Sequence, residues 1–169
     1  MWATKFKIWS ICAPYFLVAS LSTMSTVALS LPNIEVIGNN FQLESDPTNL
    51  ALVGGSVFPF TLIGESRTHT FQIRNTGSTT LTLTGAVTIT GSAPGDFAIV
   101  TQPATSIAAG QYTTLSVRFS PPGPGLGGRN AVITITSNDS DQSSFAFRVL
   151  GIAATQIPDD VKDLSLIHI

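Results

Sequence analysis

The 169-residue chain carries 8 Lys and Arg against 10 Asp and Glu, a net charge of −2, with only 11% of its residues charged and 43% apolar. An acidic balance with its arginines scattered singly offers no basic face to nucleic acid. One Cys and two His cannot supply the converging ligands of a zinc-type centre or an internal disulfide, so stability has to come from burial.

The first element is not part of the fold. Residues 1–30, "MWATKFKIWSICAPYFLVASLSTMSTVALS", place Lys5 and Lys7 ahead of an uncharged, mostly apolar run from Ile8 to Leu29. Small residues at Ala28-Leu29-Ser30, or at Thr26-Val27-Ala28, close it with a cleavage-like pattern. This is the layout of a secretory signal peptide. The alternative is an uncleaved anchor, against which stand Pro14 and the hydroxyl residues at 20–26. Cys12 lies within the apolar run, away from any lipid-attachment position. Removing the leader takes away both Trp residues, the Cys and two positive charges, which leaves a more acidic remainder.

From residue 31 the pattern has period two. "NIEVIG" (33–38) is the first short strand, followed by a less regular stretch to about residue 66 containing "SDPTN" and "VGGSVFPF". Phe71 and Ile73 then alternate with Gln72 and Arg74, and Leu81, Leu83, Val87 and Ile89 with Thr82, Thr84, Thr88 and Thr90. "DFAIV" (96–100) is a short apolar run. Leu115, Val117 and Phe119 alternate with Ser116 and Arg118; Ala131, Ile133 and Ile135 with Val132, Thr134 and Thr136; Phe145, Phe147 and Val149 with Ala146 and Arg148. Breaks fall at 75–77, 91–95, 108–110, 121–128 and 138–142. No segment sustains a helical period. These signals predict an all-β, seven-stranded antiparallel sandwich, each sheet with one face on the core and one Thr-rich face in water.

The chain closes with an acidic link, "PDDVKD", and the apolar tail "LSLIHI" (164–169). That tail looks like the translation of a sequencing-library adapter; the alternative is a genuine short strand. The expected organisation is a signal peptide over 1–30, one sandwich domain over 31–154, a linker over 155–163 to a downstream region, and an adapter-derived tail over 164–169.

Several pieces occur in a specific order: F-x-I-x-N-T-G at 71–77, L-x-L-T-G at 81–85, D-F at 96–97, I-A-A-G at 107–110, F-S-P at 119–121 and I-T-S-N-D at 135–139. Together they resemble the ASH (ASPM/SPD/Hydin) immunoglobulin-like domain, in the bacterial form found in exported "choice-of-anchor D" proteins. The resemblance covers about residues 33–153. It implies an immunoglobulin-like sandwich related to the PapD and major-sperm-protein folds, often in tandem and without catalysis. Residues 44–66 depart from the family's pattern, "LALVGGSVFPFTLIGES" standing where a shorter link ending in F-G is usual.

Few side chains are left for chemistry. A Ser-His-Asp device would have to use His69, which "THTFQIRN" places at the start of an alternating strand as a half-exposed residue. Asn75-Thr76-Gly77 reads as a turn, its rival being a catalytic Asn or Thr. "SNDSD" (137–141) gathers Asn138, Asp139 and Asp141, candidate oxygen ligands for calcium, though without the EF-hand order. Asn138-Asp139-Ser140 is formally a glycosylation acceptor. "PPGPGLGG" (121–128) lacks the Lys-Ser/Thr of a phosphate loop and reads as a connection. The sequence therefore nominates no catalytic, cofactor or metal residue beyond that calcium trio, and no cofactor. The expected function is a non-catalytic, secreted or cell-surface module of a bacterial envelope, spacing domains or binding proteins. Its partners would be neighbouring domains and other surface proteins met at sheet edges, with no membrane insertion of the mature domain. The alternative is an accessory domain of an exported enzyme whose catalytic part lies downstream. A pilus-type chaperone would need a second such domain and a basic cleft that the sequence lacks.

Overall fold

The computed structural model describes residues 31–51, 54–123 and 126–155. The leader, the linker from residue 156 onwards and the tail lie outside the described residues. The chain enters as β1 (Ile34–Gly38) and returns as β2 (Phe41–Leu43) through a two-residue turn at Asn39 and Asn40, whose φ values are 48° and 63°. Positive φ at both turn positions matches the twist of a tight hairpin, and Asn tolerates it better than most residues. A loop leads to β3 (Val57–Leu62), then to the nine-residue β4 (Arg67–Asn75). Two short pieces follow, β5 (Leu81–Thr82) and β6 (Thr88–Thr90), and a single 3-10 turn at Pro94–Asp96. β7 (Phe97–Thr101), β8 (Ser106–Ile107), β9 (Tyr112–Phe119), β10 (Gly127–Thr136) and β11 (Ser144–Ala154) complete the chain.

These segments stack as two layers. One sheet has the order β2-β1-β4-β9-β7, antiparallel throughout; the other runs β3-β11-β10-β6; β5 and β8 form a small separate pair. The immunoglobulin-like sandwich is thus the architecture the alternation predicts. The strand tally differs, with eleven segments among the described residues where seven were expected: β2, β3 and β8 form in stretches that the alternation did not mark, and the run Leu81–Ile89 divides into β5 and β6. One pairing also differs: β3 lies parallel to β11, with Leu150 beside Val57 and Ala154 beside Leu62.

Alternation fixes which side chains meet between the layers. Phe71, Ile73, Leu115, Val117 and Phe119 of one sheet and Ile133, Ile135, Phe147 and Val149 of the other are buried. Each such side chain contributes about 2 kcal/mol by leaving water. Phe71 meets Phe147 at a ring separation of 5.1 Å, joining the layers near the middle. Towards one end, Phe58 from β3 reaches Phe97 and Phe119 at 5.7 and 5.8 Å. Gly151 makes room there: a Cβ on it would stand 2.4 Å from the Phe119 ring. The pairing of β11 with β3 slips at this point, between Leu150 and Ile152.

Candidate functional site

Polar side chains gather at the two ends of β4. At its C-terminal end, Asn75 occupies an inward position in step with Phe71 and Ile73 and is fully buried. Burying an amide is costly unless every polar atom finds a partner, and here each does. Its Nδ2 donates to the carbonyls of Thr79 at 2.7 Å and Ile107 at 2.9 Å. Its Oδ1 accepts from the N–H of Gly77 at 3.0 Å and of Asn33 at 3.3 Å. One side chain thereby fastens the strand that precedes it, the turn that follows, β8 and the entering chain. Gly77 is held by proximity: a Cβ there would lie 2.2 Å from the Leu31 carbonyl oxygen.

Beside this knot sits the proposed calcium trio. Asp139 is 2% exposed. Its Oδ2 accepts from Ile34 N–H at 2.9 Å, and its Oδ1 from the N–H groups of Asp141 at 2.9 Å and Gln142 at 3.2 Å. Asn138 accepts from Thr82 N–H at 2.7 Å and donates to the Thr80 carbonyl at 3.3 Å. In these contacts Asp141 serves through its backbone, while the Asp139 carboxylate faces three amide donors. Among the described residues no group of three or more His, Cys, Asp or Glu is placed to hold a metal ion. The acceptor amide of the glycosylation triplet, Asn138, is exposed yet tied through its oxygen to Thr82 of β5 and through its nitrogen to Thr80 just before that strand.

At the other end of β4 lies His69. Its ring stacks on Phe58, with centroids 4.3 Å apart and planes inclined by 12°, and its Nδ1 meets the Gly55 carbonyl. Among the described residues, the partners of its ring are this carbonyl and the Phe58 ring, neither of them a carboxylate that could orient it as a base. It lines a groove of about 350 Å³ with Asn39, Gly55, Val57, Thr68, Thr70 and Phe71. The described part of the Gly- and Pro-rich 121–128 segment borders an open hollow with Asp96 and Arg129, which pair at 3.5 Å. Away from both ends, Asp46 is held below the usual carboxylate range by the hydroxyl of Thr48, then by the N–H groups of Thr48 and Asn49.

Sequence reasoning placed Asn75 and Gly77 in a turn and missed that the turn binds the chain's entry. The available signal was parity: Asn75 continues the inward series Phe71, Ile73 and therefore had to be a buried amide. Asp139 gave half a signal: its bonds to Asp141 and Gln142 are the local turn that Asp favours, but its tie to Ile34 joins residues 105 positions apart.

Compared with known proteins, residues 58–151 match the family model described as HYDIN/CFA65/VesB-like, Ig-like domain. No curated protein matches. Among solved structures, a protein of unknown function from Porphyromonas gingivalis W83 is similar at 18% identity and a TM-score of 0.49, over 77% of this chain and 51% of that one. The ASH/PapD-like domain 7 of human CEP192 is similar at 11% identity and a TM-score of 0.47, over 93% of this chain and 99% of that one. The secreted serine protease VesC from Vibrio cholerae is similar at 18% identity and a TM-score of 0.44, over 63% of this chain and 24% of that one. The chain therefore spans about half the length of the Porphyromonas protein and about a quarter of VesC. No helix among the described residues is long and apolar enough to cross a membrane.

Proposed function

Because the chain belongs to the HYDIN/CFA65/VesB-like Ig-like domain family, we propose that it is a non-catalytic module that spaces domains and binds proteins within a larger exported protein. The observation that carries this reading is the use made of buried polar groups. Asn75 and Asp139 turn their side-chain hydrogen bonds towards backbone amides and carbonyls, which ties the shell together and commits both side chains to structure. The leader-like pattern of residues 1–30 supports export. The alternative is an accessory role beside a catalytic domain of an exported enzyme, in which this module would bind or space while that domain carried the chemistry.

Two measurements on the purified chain test it. Incubated with peptide, ester and glycoside substrates, it is expected to give the same background rate as its His69→Ala variant; turnover that disappears with His69 overturns the reading. Expressed in a bacterium with residues 1–30 in place, it is expected outside the cytoplasm and shortened near residue 30. Retention of the full-length chain in the cytoplasm overturns the exported half of the proposal.

A further inference from the structure

The two neighbours of β4 are of unequal length. On one side β9 pairs with it along nearly its whole course, from Arg67 opposite Phe119 to Arg74 opposite Tyr112. On the other side β1 covers only Phe71 to Asn75, because the chain turns away at Asn39. Backbone groups along an antiparallel strand face its two neighbours alternately. Asn75 exchanges bonds with the Gln111 carbonyl and the Gly110 N–H on the β9 side, whereas Thr76 donates to Asn33 on the β1 side. Counting back, Thr70 and Thr68 face the side from which β1 departs; the Thr70 carbonyl still meets the Asn39 N–H, as the Gly38–Phe71 pairing requires, and the N–H and C=O of Thr68 lie beyond it.

These groups form an open ledge. Arg67, Thr68 and Thr70 are exposed, and the groove of about 350 Å³ lies directly beside them. Its inner wall is His69 and Val57; its end is the Asn39 turn. A backbone donor and acceptor left open beyond the end of a neighbouring strand are a template for extending that strand's place in the sheet. The charge beside the ledge is positive: Arg118 stands opposite Thr68 on β9, exposed, and Arg67 begins the strand, with Glu65 at 3.5 Å from it.

We propose that this ledge is a strand-addition site that takes an extended peptide of another protein, in line with β1 and antiparallel to β4. The peptide carries an apolar side chain facing His69 and Val57, with acidic side chains on the alternate, outward positions near Arg118. About four residues suffice to fill the gap, given a rise of roughly 3.3 Å per residue. The inference rests on the protein-binding half of the proposed function and specifies where that binding happens.

The test uses the full-length chain, isotopically labelled, and a capped heptapeptide of alternating valine and aspartate. Saturable binding is expected, with the amide of Thr68 shifted and protected from hydrogen exchange. The matching valine–lysine peptide is expected to bind at least about fivefold more weakly. Thr68→Pro removes one ledge donor without touching the β9 ladder and is expected to weaken binding about tenfold, whereas Thr68→Val leaves it unchanged. Four results overturn the proposal: no saturable binding up to millimolar peptide, protection confined to another edge, tighter binding of the lysine peptide, or ledge amides already protected by self-association of the chain. None of these produces substrate turnover, so they are distinct from the result that would make the module an enzyme.

Discussion

Asn75 shows how one residue can decide the shape of a turn region. Replacing it with Ala takes a hydrogen bond from the buried Ile107 carbonyl and from the part-buried Thr79 carbonyl and Gly77 and Asn33 amides. Denaturant unfolding of Asn75→Ala is expected to show a loss of about 3 kcal/mol, and Asn75→Asp a similar one, because a carboxylate cannot donate to the two carbonyls. Asp139→Asn is the milder case. One oxygen is kept for Asp141 and Gln142, while an NH₂ group comes to face the Ile34 N–H, at a cost of about 1–2 kcal/mol. Asp46 gives the pH prediction. Its carboxyl is depressed in the folded state, so the stabilisation from Thr48 is present above the unfolded value near 3.8 and is lost as the pH falls below it. The difference in thermal midpoint between the wild type and Asp46→Ala is therefore expected at pH 7 and to shrink towards pH 3.

At the scale of elements, Gly151 is the position where strand, bulge and aromatic cluster meet. Gly151→Ala forces a methyl group into the Phe119 ring and is expected to cost about 2–3 kcal/mol, whereas Gly95→Ala, with open space around it, is expected to stay within about 0.5 kcal/mol of the wild type. Comparison of the two by thermal unfolding separates crowding from glycine replacement as such. The long strands were readable because they alternate without interruption: β4, β9, β10 and β11 bury the very residues whose spacing marked them, from Phe71 to Val149. β3 was not readable. Its Pro59 and Phe60 are both exposed in succession, because the pairing with β11 slips there, and a slip erases period two. The run Leu81–Ile89 looked like continuous strand, yet Leu83 makes only an isolated bridge to Ser137, and pairing resumes at Thr88. Which strand a short segment joins depends on partners far away, and period two says nothing about them. The same limit hid the ledge, since strand length is legible while the length of a neighbour's overlap is not.

The whole molecule is held by layers and polar ties, with no covalent cross-link available. The single Cys of the sequence, Cys12, precedes the described residues, so the thermal midpoint of the monomer is expected to be the same with and without a reductant; a shift of several degrees would contradict this. Most pairings join segments distant in sequence, β1 with β4 and β3 with β11 among them. Sandwiches of this kind fold in milliseconds to seconds, more slowly than helical proteins of equal size.

The bond from Ile34 to Asp139 joins residues 105 positions apart. A ribosome delivers the earlier of them long before the later. Until then the opening strand has no fastening for its first amide, and the Asn75 knot around it also waits for Ile107. Assembly is thereby postponed until almost the entire domain has been synthesised, so the unfinished chain carries its first strand unfastened for most of its synthesis.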